Sequence, residues 1–106
     1  MIEIETRKML VALEAELANQ GLLSQQLPSA EALASTAPFA CDLMPFEQWL
    51  QFIFLPKLHY LLDEQMSLPN KIAVAPMAQH VWAEGAKHQH LIRILTDLDA
   101  LLSQPE

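Results

Sequence analysis

Four histidines, one cysteine and the carboxylate pairs Asp63-Glu64 and Asp97-x-Asp99 are the groups of this chain most able to carry chemistry. A metal centre is the first chemistry to weigh. His88 and His90 stand two residues apart, about 200° around a helix, so one helical face cannot chelate with both. His80 and Glu84 have the i, i+4 spacing of a metal pair, but a pair is half of a tetrahedral shell. No His-Glu-x-x-His and no Cys-x-x-Cys is present. The histidines therefore read as capping or solvent-facing groups, and no metal or cofactor is expected. Nucleophilic catalysis lacks its parts as well: there is no Gly-x-Ser-x-Gly and no glycine-rich phosphate loop. Cys41 is either a small buried hydrophobe or an activated thiol at a helix N-terminus. Asp63-Glu64 and Asp97-x-Asp99 read as solvated faces, because close neighbours on a helix point apart. The expectation is a protein that is not an enzyme.

Binding residues are easier to nominate. On a straight helical wheel Lys57 falls within about 40° of Leu50, Ile53 and Leu61, inside an apolar arc. A cation there must snorkel, pair with a carboxylate such as Glu64, or meet a ligand. Lys87, His88, His90 and Arg93 form the one locally basic cluster, at a helix start where an anion could sit. Ordinary surface charge is the competing reading. Trp49, among apolar neighbours, reads as core. Trp82, beside Gln79, His80 and Glu84, is the better candidate for a contact surface.

Helices must position these groups. Leu10, Leu13 and Leu17 recur at helical spacing and predict an amphipathic helix from Glu3 to about Gln20, stopped by Gly21. Pro28-Ser29 predicts an N-cap and a short helix through about Ala34, within a strap that Leu22, Leu23, Leu27 and Phe39 hold to the core. Asp42 reads as the N-cap of a central helix reaching about Gln65, with Pro45 in its first turn. That helix carries Phe46, Trp49, Leu50, Ile53 and Leu61 on one arc and further apolar residues elsewhere, so it belongs in the middle of a bundle. Pro56 should kink it. Pro76 opens a helix of about nine residues closed by Gly85. The last helix runs from about Lys87 to Ser103, with Leu91, Leu95, Leu98 and Leu102 as its seam. The fold class expected is all-α: one domain, residues 1–106, an antiparallel bundle of about four main helices plus a short one.

Composition agrees. Nineteen Leu and fourteen Ala against three Val favour helix over sheet. At 106 residues with 52% hydrophobic and 18% charged, the chain can bury a core of its own. Its formal charge of −7 argues against gripping nucleic acid alone. No stretch approaches the length of a membrane span, the N-terminus does not read as a secretory signal, and a single cysteine suits a reducing compartment. The cytoplasm is the expected location.

The segment Thr36–Ala78 resembles the YqcC-like family of small bacterial proteins. The resemblance rests on Pro38-Phe39, Asp42 with Met44, Glu47-Gln48-Trp49-Leu50-Gln51-Phe52, Leu55-Pro56-Lys57, Leu68-Pro69 and Val74-Ala75-Pro76-Met77, with Leu98-Asp99-Ala100-Leu101-Leu102 at the end. Lys57 stands where the family pattern has Arg, and Leu43 where Thr is common. The resemblance implies an all-helical bundle and supplies no activity, since the family has none established. Its genes are often associated with a tRNA pseudouridine synthase, which points to RNA modification.

Three functional readings follow. The first is a non-catalytic protein-binding or adaptor module whose apolar surface, including Trp82, meets a partner or a second copy. The second is an accessory factor for a tRNA pseudouridine synthase, with Lys87 and Arg93 adding salt-dependent RNA contact. The third is a small-ligand site at the kink built from Lys57, Trp49 and Cys41, with Asp42 nearby.

Overall fold

The computed structural model describes residues 2–35, 39, 43–69, 72–83 and 88–103. Six helical segments follow in order: α1 Ile2–Asn19, α2 Ala30–Leu33, α3 Phe46–Trp49, α4 Leu55–Asp63, α5 Ala75–Val81 and α6 Gln89–Leu102. A π-helical turn, Leu50–Phe54, joins α3 to α4 into one central rod. The all-α bundle is the observed architecture, and the described residues include no strand. None of the described helices is long and apolar enough to cross a membrane.

Local signals set most boundaries. Gly21, at φ +71°, ends α1: its own N–H donates to Ala18 O and that of Leu22 to Leu17 O. This left-handed stop satisfies carbonyls the helix would leave bare. Gln65 closes α4 the same way at φ +54°, with Met66 N–H donating to Leu61 O. Ser29 caps α2, its hydroxyl accepting from Ala32 N–H at 3.1 Å. The central rod begins later than Asp42: the N-cap position belongs to Pro45, whose carbonyl accepts from Gln48 and Trp49. Asp42, Cys41, Glu84, Gly85 and Lys87 lie outside the described residues.

The core gathers Leu10, Leu13 and Leu17 of α1, Leu50, Leu55 and Leu58 of the rod, Ala75 and Ala78 of α5, and the Leu91–Leu102 seam of α6. α1 packs against α6 and α4, and α5 against α6. The strap sits more loosely than its leucines suggest. Leu22 and Phe39 touch the core, but Leu27 is 75% exposed. A polar clamp holds the strap instead: the Gln51 amide accepts from Ser24 N–H at 2.7 Å and donates to Ser24 O at 2.9 Å.

Asp99 is no solvated bystander. Its carboxylate accepts from Val74 N–H at 3.1 Å and Ala75 N–H at 2.8 Å, satisfying amides at the start of α5 that the N-cap residue, Val74, cannot cap with its own side chain. One turn on, Ser103 Oγ lies 3.3 Å from both Ile72 N and Ile72 O. α6 thus supplies the cap that α5 lacks.

Thr6 is fully buried within the α1 stripe, and its hydroxyl has no hydrogen-bond partner among the described residues. An unmade hydrogen bond in the core costs free energy that an isosteric methyl would not. Thr6→Val should therefore stabilise the protein by about 1 kcal/mol, raising Tm by about 4–8 °C in a thermal melt. A lowered Tm would show that the hydroxyl is bonded after all.

Candidate functional site

The rod is the element on which most candidate residues depend. In a straight α-helix the Pro56 ring would press on the Phe52 carbonyl. The π-turn relieves this: Leu55 N–H donates to Leu50 O, five residues back, and Pro56 falls in the first turn of α4. One extra residue in the turn moves everything beyond it back by about 100°. Leu55 and Leu58, about 140° and 80° from Leu50 on a straight wheel, come within about 40° of it. Both are 2% exposed. Lys57 moves the other way, from about 20° to about 120° off that face. It is exposed and forms no ion pair with the described residues. The apolar placement expected for Lys57 is thus corrected, and Glu64 is exposed as well.

Trp49 packs where expected, half-buried. Its ring stacks on Phe46 and Phe54 at centroid distances of 5.9 and 5.3 Å and meets the Phe39 edge at 4.8 Å. Trp82 departs from expectation: it is 6% exposed and belongs to the core. Ala75, Ala78 and Trp82 sit at i, i+3 and i+7, and the two alanines let α5 approach closely enough to seat the indole against Phe46 at 5.2 Å. His88 stacks on Trp82, 5.1 Å away and 7° from parallel. Its Nδ1 is buried with no partner among the described residues.

The basic cluster is therefore divided. His88 turns inward onto Trp82, whereas His90 is exposed, with Nδ1 3.9 Å from Glu16 Oε1. Arg93 is exposed on α6. The carboxylate beside His90 would repel an anion placed there. Trp49, Trp82 and His88 are thus joined through Phe46 in one aromatic group, whereas Lys57, His90 and Arg93 are exposed.

A different surface has the form of a binding site. α1 and α4 flank an open groove of about 490 Å³ lined by Glu3, Ile4, Arg7, Lys8, Val11 and Leu62. Ile4 and Val11 are 56% and 55% exposed, seven residues apart on one face of α1. Arg7 spans the wall, with Nη2 donating to Asp63 Oδ1 at 2.8 Å and Nη1 3.4 Å from His59 Nδ1. His59 Nε2 in turn lies 3.9 Å from Glu14 Oε2. The signal in the sequence was the i, i+7 pair Ile4 and Val11, a second apolar line that the Leu10–Leu13–Leu17 stripe does not absorb.

These placements separate packing from surface. Trp82→Ala should cost about 3–5 kcal/mol of stability in urea denaturation, while Lys57→Ala should stay within about 0.5 kcal/mol of the parent. A Trp82→Ala cost below about 1 kcal/mol would return Trp82 to the surface.

Comparison with known proteins follows the same fold. The DUF446 family model, described as tRNA pseudouridine synthase C, matches residues 5–101. An uncharacterized protein of Haemophilus influenzae is 34% identical over 102 residues, covering 96% of each chain. The uncharacterized protein YqcC of Escherichia coli is 37% identical over 98 residues, 92% of this chain and 90% of its own. A tRNA pseudouridine synthase C of Pectobacterium carotovorum subsp. carotovorum is 40% identical over 67 residues, which are 63% of this chain but 18% of that protein. The solution NMR structure of E. coli YqcC superposes with a TM-score of 0.87 at 31% identity, covering 99% of this chain and 91% of the other. By the extent of the family match and by its relatives, this chain belongs to the DUF446 family and has the helical fold of YqcC.

Proposed function

We propose that this chain is a non-catalytic binding module whose partner is a tRNA pseudouridine synthase. The observation that carries the reading is the Pectobacterium protein. There, a stretch similar to 67 residues of this chain makes up 18% of a protein named tRNA pseudouridine synthase C. The other four-fifths lies outside the similarity. Physical joining of two units holds them at high effective concentration, and a separate chain reaches the same end only through a binding surface. The family description points to the same enzyme.

Charge divides the labour. With a formal charge of −7, this chain leaves the RNA phosphates to the partner. An exposed apolar groove on an all-helical scaffold is a better match to a protein surface than to phosphate.

Size-exclusion chromatography of the chain mixed with the tRNA pseudouridine synthase of the same organism, followed by assays with tRNA, tests this. Co-elution as one complex is expected, together with a changed tRNA affinity or modification rate of the synthase. The chain alone should not retain tRNA at physiological salt. Separate elution at micromolar concentrations, with synthase affinity and rate unaltered, would contradict the proposal.

A further inference from the structure

The α1–α4 groove holds side chains that the fold does not use. α1 already gives the core one complete stripe, Thr6, Leu10, Leu13 and Leu17. Ile4 and Val11 lie outside it and are more than half exposed. Their separation along the axis is about 10.5 Å, two turns of helix. Leu62 of α4 and the aliphatic stems of Arg7 and Lys8 complete the walls.

Charge selects among occupants. The chain is strongly acidic, yet two of its six Lys and Arg residues line this groove, midway between Ile4 and Val11, against one carboxylate in the lining, Glu3, which lies toward the Ile4 end. Arg7 is held in place by Asp63. Lys8 is held weakly: Glu5 lies 3.8 Å away, and both side chains are more than half exposed. A second copy fits poorly. Two-fold antiparallel pairing of α1 through this face would set Ile4 on Val11 of the other copy, but Arg7 would then face Lys8 of the other copy beside the axis. Like charges so placed oppose association. A single strand of nucleic acid fits poorly too, since none of the described residues lining the groove is aromatic and bases would have no ring to stack on.

We infer that the α1–α4 groove takes an amphipathic helix of the partner synthase, with apolar residues at i and i+7 on Ile4 and Val11 and a carboxylate between them for Lys8. The inference rests on the binding-module reading and adds the surface and the chemistry of its counterpart.

Calorimetric titration of the purified synthase into the full chain tests it. Ile4→Ser with Val11→Ser should melt within a few degrees of the parent, because neither residue is in the core, and should bind at least about tenfold more weakly. Lys8→Glu should weaken binding several-fold, with a larger loss at low salt. Leu27→Ser, on the strap, should bind as the parent does. If the folded double variant binds with parental affinity, the groove assignment is overturned while the module reading stands. If the parent chain itself does not bind the synthase, both fall. Should the double variant not fold, Lys8→Glu decides alone, and unchanged affinity overturns the assignment. Loss of a homodimer in the groove variants, with synthase binding intact, would assign the surface to a second copy and overturn it as well.

Discussion

The hydrogen bond from Leu55 N–H to Leu50 O determines how the central rod meets its neighbours. It reaches five residues back instead of four, and the single residue of slack it creates changes the phase of every side chain that follows. Leu55 and Leu58 join Leu50 on the buried face because of it. Burying a leucine side chain contributes about 1.5–3 kcal/mol, so two of them offset an irregular turn. Pro56 makes the alternative worse, since a regular helix through it would clash with the preceding turn. The proline and the π-turn are two sides of one constraint.

The rest of the molecule adapts to that phase. Gln51, within the turn, presents its amide to Ser24 and holds the strap by two hydrogen bonds. Trp49 and Phe54, at either end of the turn, stack on each other, and Phe46 links them to Trp82. Beyond the turn, Leu62 reaches the rim of the α1–α4 groove and Asp63 anchors Arg7 there. Core phase and surface chemistry are thus set by the same irregularity. A regular rod would bury a lysine and turn Leu55 and Leu58 away from Leu50.

What the sequence made legible was local. The α1 stripe, the Gly21 stop, the Ser29 cap and the seam of α6 each depend on a few adjacent residues, and all are where periodicity and capping chemistry put them. The misplacement of Lys57 has a local cause, and the others needed information from another part of the chain. Lys57 was misplaced because the wheel assumed 3.6 residues per turn across a segment that does not keep it. Trp82 looked exposed because its polar neighbours were weighed, while the small faces of Ala75 and Ala78 matter only once α6 and the rod are in place. Asp99 looked solvated because its partners lie 24 and 25 residues away. The groove has one wall on α1 and another on α4, so no single stretch of sequence displays it.

The helices divide between packing and exposed surface. α1 does both, with one line of side chains against α6 and the rod and another facing solvent beside α4. The division depends on the rod's phase, and stability measurements on two leucines of α4 test that phase most directly. In urea denaturation, Leu58→Ala should cost about 2–5 kcal/mol, and Leu61→Ala, only partly buried, clearly less. A cost for Leu61→Ala equal to or above that for Leu58→Ala, the order a regular helix from Leu50 demands, would contradict the account.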